Sequence, residues 1–593
     1  MNTLLWILVG VLAYSAVAVA LQTRGYLPRS VRMQGPLTTI HTKRGRAFLN
    51  WLAGPKRFWR AWSNVGVGIA LVVMVGSFFL LILAALSALQ TTQPSAVSQP
   101  RNFLVIPGVN DFLPLSVAPE IVFGLLVGLV VHEGGHGLLC RVEDIDIESM
   151  GVVLLTILPI GAFVEPNEES QKHANRGGKT RMFAAGVMNN FAITAIVFAL
   201  LFGPVIGSIG LAPGVGVGAA YGPAAEAGIG QGDRITAING TAVETNDEML
   251  AALEATSGSQ LAVEVNGERT MAVERSPVVV ASAQGNPANL SVDPEADDPI
   301  TVESVNGTPV NTMSEFRTAV EDREFAVLGT SEGERRTPIG TFARVSEDRP
   351  LADQTDLEAG DTITITRIAG ERVVDSGDLT TVLDGYGPDD EVTVRFYADG
   401  AFRTVTVTLD EDGFVGVGPA GGVSGLSLTD FGVQHYPAGT YLSLLGGDGG
   451  EGSLDGVPLA GAAGSFLGLI YVALILPLAS VVLGLPYNFP GFTGFWTNFF
   501  VVEGPLAFLG GGVFLLANLL FWTGWINLQL GLFNCIPGYP LDGGRILRTS
   551  AEAVVSRLPV GDRYTLVRTI TTGVGLTMLV ALVLTVFGPT LLN

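Results

Sequence analysis

Cysteine is almost missing from this chain of 593 residues, histidine is scarce, and one long stretch has no lysine at all. Two cysteines, Cys140 and Cys535, cannot build a disulfide framework. Both flank polar motifs on what reads as the cytoplasmic side, so they are expected to be free, small apolar packing residues. Charged residues make up only 15% of the chain. A mean hydropathy of +0.44 is too apolar for a soluble protein of this length. The net charge of −22 leaves no broad basic surface, and no nucleic-acid partner is expected.

Long hydrophobic runs are what the chain does have. Stretches of about 18 or more largely apolar residues lie near 3–22, 66–89, 119–140, 181–204, 462–485, 508–533 and 568–591. No positive region precedes the first and no small-residue cleavage site follows it, so it reads as a retained helix. The segment 23–61 runs from Arg24 to Arg60 with basic residues throughout and no acid, which makes it cytoplasmic and the amino terminus exterior. Helix 119–140 then runs inward, Lys172, Arg176, Lys179 and Arg181 lie inside, and 181–204 leads out again. Both 462–485 and 508–533 read as inward-running. Either an outward crossing lies between about 486 and 512, or 462–485 is not a full span, and the expected total is seven or eight crossings.

The lysine-free stretch is the exterior part. Between 206 and 460 there are 41 acidic and 13 basic residues, all of the latter Arg, for a net of −28, against +6 elsewhere. Hydrated carboxylates keep a surface soluble where salt screens charge almost completely. The composition therefore points to a halophilic, archaeal source, with a plain acidic exterior domain as the other reading. This region looks like tandem PDZ-type modules: Gly228 to Val243 is echoed by Leu357 to Val373 and more faintly by Asp298 to Val310, each with a strand and a hairpin turn.

The expected architecture is thus a polytopic α-helical membrane protein of seven or eight transmembrane helices with inserted extracytoplasmic β-rich, PDZ-like domains. Its parts are a two-helix membrane segment with a basic loop (1–92), a first membrane core (93–205), PDZ-like modules at 206–282, 283–343 and 344–420, a Gly-rich linker (421–460) and a second membrane core with a C-terminal helix (461–593).

Two of the five histidines stand four residues apart in His132-Glu133-Gly-Gly-His136, directly after the uncharged run 121–131. On a helix they share a face, so both imidazoles can bind one Zn²⁺ while Glu133 lies beside the open position as general base. A solvated helix face is the bland alternative. It is weakened by the cost of a charge at the centre of a membrane helix, roughly 2.5–3.5 kcal/mol. Catalytic zinc usually takes three protein ligands. Asp542 is the candidate third, in Asn534-Cys-Ile-Pro537-Gly-Tyr-Pro540-Leu541-Asp542-Gly543, where two prolines break a helix at membrane depth. Taken alone, this segment also reads as a turn with Arg545 as an anchor. Cys140 as a further ligand would displace the water a hydrolase needs. The stretch 151–166 is apolar but short, with Pro159 and Gly161, and reads as a re-entrant β-hairpin whose edge could pair with an extended peptide, or as a plain interfacial loop.

These motifs resemble the site-2 protease family of intramembrane metalloproteases: the two histidines with Glu133, Asn534-x-x-Pro537 before Leu541-Asp542-Gly543, Ala185-Gly186-Val-Met-Asn-Asn190, Ile106-Pro-Gly-Val-Asn110, and Gly161-Ala-Phe-Val-Glu165-Pro. Val187 stands where the family usually has proline. The resemblance implies that His132, His136 and Asp542 bind one zinc per chain, that Glu133 activates water, and that Asn534 helps hold the substrate backbone or the oxyanion. It also implies cleavage of a single-pass membrane protein, such as a membrane-anchored regulator, near the cytoplasmic face of the bilayer, with PDZ-like modules filtering access. The alternative from another class is a PDZ-like membrane scaffold with a structural metal.

Overall fold

The computed structural model describes residues 3–28, 30–34, 36–90, 106–110, 113–156, 158–292, 299–347, 349–450, 453–454 and 457–591. Asp298 of the faint repeat, and part of the Gly-rich stretch 445–453, lie outside them. The chain forms two compact units, one of Met1–Leu211 with Gly439–Asn593 and one of Ala212–Ala438.

The first unit is helical. Its helices are α1 (Thr3–Thr23), α2 (Lys43–Leu52), α3 (Lys56–Gln90), α4 (Ala118–Val142), α5 (Glu168–His173), α6 (Arg176–Leu200), α7 (Phe466–Ile475), α8 (Gly512–Asn534), α9 (Asp542–Val555) and α10 (Arg563–Leu591). Among the described residues, five helical stretches are long and apolar enough to cross a membrane, one each built on α3, α4, α6, α8 and α10. The stretch expected as a span at 462–485 is instead a broken helix, Phe466–Val482, in which Pro477 interrupts the ladder with a 3₁₀ turn. Residues 486–512 supply no outward-running helix either. They hold two 3₁₀ turns and a short strand, Phe500–Val502, that pairs with Ile209–Leu211. Among the described residues, neither 462–485 nor 486–512 adds to the five helices long and apolar enough to cross a membrane.

Close helix approach depends on small residues, as is usual in membranes. A Cβ at Gly124 of α4 would lie 2.9 Å from the Trp522 carbonyl oxygen of α8, and one at Gly135 would lie 2.8 Å from that of Ala185 on α6. Between the helices lies a four-stranded antiparallel sheet in the order β1 (Val31–Gln34), β2 (Leu37–His41), β3 (Ile147–Leu155), β4 (Leu158–Pro166). The expected hairpin at 151–166 is present and starts earlier, at Ile147. The basic loop contributes the other two strands, pairing Leu37 with Leu155 and His41 with Gly151. A Tyr14 hydroxyl donates to the Thr156 carbonyl at 2.8 Å and ties α1 to the hairpin tip.

The second unit holds three β-rich modules, each with its own apolar core. Asn239-Gly240, Asn306-Gly307 and Ala369-Gly370 all take positive φ, the pattern of a two-residue hairpin turn. The helix that follows each begins on a side-chain cap from Thr245, Thr312 or Asp375. Two boundaries differ from expectation. Residues 206–211 belong to the helical unit. The stretch 421–460, expected as a linker, carries the strands Leu426–Thr429 and Val433–His435, and the latter pairs with Val215–Ala220 to complete the first module. Gly432 there is a tight turn position: it has positive φ, and a Cβ would lie 2.0 Å from the Tyr221 carbonyl oxygen.

Candidate metal centre and active site

Helix α4 places His132 and His136 one turn apart on a buried face, and the loop that ends α8 returns Asp542 to them as the first residue of α9. Three donor atoms converge. The two Nε2 atoms are 3.2 Å apart, and Asp542 Oδ2 lies 3.1 Å from that of His132 and 3.0 Å from that of His136. A tetrahedral ion with bonds of about 2.0–2.1 Å separates its ligands by about 3.3 Å, so the spacing suits a common ion. Oδ2 is buried and makes no hydrogen bond, an arrangement costly for a carboxylate unless a cation satisfies it. His136 Nδ1 donates to the Met182 carbonyl at 2.8 Å, which fixes the tautomer and leaves Nε2 as a ligand. The donor set, two imidazoles and a carboxylate, fits zinc.

Glu133 lies within ligand reach of both histidines. One of its oxygens, Oε2, accepts from the Val164 backbone N–H of β4 at 3.1 Å. Strand β4 is the outer strand of its sheet, so the catalytic candidate is held by the free edge of the hairpin. Asn534 also reaches the site and lines the same cavity of about 780 Å³ as His132, Glu133, His136 and Asp542. Its Nδ2 donates to the Leu530 carbonyl of its own helix at 3.0 Å. All five residues singled out in the sequence are therefore brought together. Asn190 is fully buried in α6, and neither end of its amide has a hydrogen-bond partner. Cys140 and Cys535 are free and buried, as expected.

Sequence reading missed two supporting groups, the Val164 N–H and the Met182 carbonyl. A backbone contact leaves no trace in residue type. Gly186 was visible in its motif, and the structure supplies its reason: a Cβ there would lie 2.8 Å from both His132 Cε1 and His136 Nε2.

With this geometry in place, likeness to known proteins becomes specific. A model of peptidase family M50 matches residues 120–582. The chain belongs to peptidase family M50. This M50 chain is 33% identical over 138 residues to an uncharacterized protein of Methanocaldococcus jannaschii, covering 23% of the chain and 36% of the relative. It is 27% identical over 239 residues to a provisionally named zinc metalloprotease of Staphylococcus aureus, covering 38% and 47%. A similarly named protein of Clostridium acetobutylicum is 31% identical over 174 residues, covering 25% and 49%. The M50 chain thus spans between about a third and a half of the length of the curated relatives it matches. Beside this family match stand, among the described residues, five helices long and apolar enough to cross a membrane.

Proposed function

We propose that the protein is an intramembrane zinc endopeptidase that cuts single-pass membrane proteins within or near their transmembrane helix. The observation that carries this reading is the convergence of Asp542, from the start of α9, on His132 and His136 beside Glu133, three residues of a helix long and apolar enough to span a membrane. These three residues hold one zinc. Bound there, zinc supplies Lewis-acid polarisation of the scissile carbonyl and lowers the pKa of water to about 7. Glu133 takes the proton of the attacking water on the carboxylate oxygen not held by Val164 and returns it to the leaving amine. Asn534, whose amide turns from Leu530 to the substrate, steadies the substrate backbone or the developing oxyanion.

A transmembrane helix hides its carbonyls in its own hydrogen bonds, so the substrate must unwind before attack. The open edge of β4 beside Glu133 offers those freed groups a partner by strand addition. In this proposal the cavity faces the cytoplasm, where Lys172, Lys179, Arg545 and Arg548 line it. The three β-rich modules are PDZ-like, lie outside, and filter substrates already trimmed there. The physiological setting is release of a membrane-anchored regulator. The test is mass spectrometry of products from candidate single-pass substrates co-reconstituted in vesicles. A cut inside or within a few residues of the apolar segment, abolished by a zinc chelator and restored by zinc, is the expected result. Cuts only in soluble loops would contradict it.

A further inference from the structure

A second cavity, of about 450 Å³, lies between the start of α6, the end of α9 and the first turns of α10. Four guanidinium groups line it: Arg176 of α6, Arg548 of α9, and Arg563 and Arg568 of α10. One acid faces them, Glu552, which lies 3.3 Å from Arg548 and 3.9 Å from Arg176. Among the described residues, Arg563 and Arg568 have no acidic partner, so the cavity carries a net charge of about +3. Positive charges are common where helices leave a membrane on the cytoplasmic side. Here four of them, from three separate helices, line one concavity.

The shape of the neighbouring surface says what kind of anion fits. Val555 and Val567 form an apolar floor, and beyond the cavity Leu576, Leu579, Val583 and Phe587 of α10 are exposed. From Arg568 to Phe587 a helix rises about 28 Å, close to the thickness of a bilayer's hydrocarbon core of about 30 Å. A free phosphate would use the arginines alone, whereas α10 is itself apolar enough to cross a membrane and sets its exposed track among lipid chains directly beside the arginines. An amphiphile whose headgroup is a phosphate uses both.

We propose that this pocket binds the phosphate headgroup of an anionic membrane lipid, with its hydrocarbon chains lying along α10. Arginine forks suit phosphate oxygens in two-point contacts. The assignment is independent of the proteolytic reading, although Arg548 and Glu552 also line the larger cavity and place the bound headgroup at its rim.

Native mass spectrometry of the purified full-length protein tests this, with phosphatidylglycerol and phosphatidylcholine titrated in parallel. The wild type is expected to retain one phosphatidylglycerol at concentrations where phosphatidylcholine is lost. The double variant R563Q/R568Q should bind it about thirtyfold more weakly, roughly a factor of five per arginine. R563K/R568K, which keeps the charge but loses the fork, should recover only part of that loss, and that partial recovery requires a folded site. R44Q/R57Q removes the same charge from the basic loop elsewhere and should bind as the wild type does. Equal retention of both lipids, or equal weakening by R44Q/R57Q, would overturn the proposal in favour of diffuse attraction. Displacement of the lipid by millimolar inorganic phosphate would overturn it in favour of a free-anion site.

Discussion

At the scale of single residues, the proposed metal centre depends on groups outside its ligand set. Gly186 leaves the space into which both imidazoles pack. Gly186→Ala should therefore lower zinc affinity by about 10–100-fold, as loss of an orienting contact typically does, while the protein still folds. Zinc competition with a fluorescent chelator measures it. A second residue, Glu143, sits just past the end of α4 with a side chain only 3% exposed, held by Arg181 at 3.0 Å and Arg60 at 3.1 Å. Burial alone would raise its pKa, but hydrogen bonds and charge from Arg181, and then Arg60, outweigh burial and hold it below its ordinary 4.5. The stability it contributes is fully present above that ordinary value and is lost as the pH falls through the lowered one. Glu143→Ala should cost roughly 3 kcal/mol, the low end for a broken buried pair because both guanidinium groups reach solvent. It should also flatten the acid limb of a melting-temperature profile.

At the scale of elements, the broken helix Phe466–Val482 carries a testable consequence for the topology of the second half of the chain. It is too short to cross, so both of its ends should lie on one side of the membrane. Cysteines introduced as Gly464→Cys and Pro486→Cys, in a chain whose own two cysteines are buried, should both react with a membrane-impermeant maleimide added outside sealed vesicles of native orientation. Labelling from opposite sides would restore a full crossing there. Composition alone could not show this, since Pro477 is one residue in an otherwise apolar run and the break is a matter of backbone geometry. The same limit hid β1 and β2 in the basic loop. Their pairing with β3 is long-range, and short polar strands carry little pattern of their own.

At the scale of the whole molecule, charge is segregated by unit. The region 206–460 carries −28. Screening acts over about 3 Å at 1 M salt, so molar salt should relieve this self-repulsion. The melting temperature is expected to rise by several degrees between 0.1 and 2 M KCl, and a flat or falling profile would count against a high-salt origin.

The residues of the proposed metal site were legible in the sequence because histidine is rare here and an intramembrane acid is costly. Asp542 was legible only through its proline-broken context. The return of Val433–His435 to the first module was not legible, because the stretch is rich in glycine, and glycine composition does not distinguish a turn that must be tight from a linker that is free.

In the proposed mechanism Glu133 acts on water at a zinc held by His132, His136 and Asp542. The most direct measurement compares wild type with Glu133→Gln, recording zinc content and cleavage of a reconstituted single-pass substrate on the same samples. Both should hold one zinc per chain, and the variant should lose cleavage by at least about 100-fold. Cleavage at the wild-type rate by a zinc-loaded Glu133→Gln protein would contradict it.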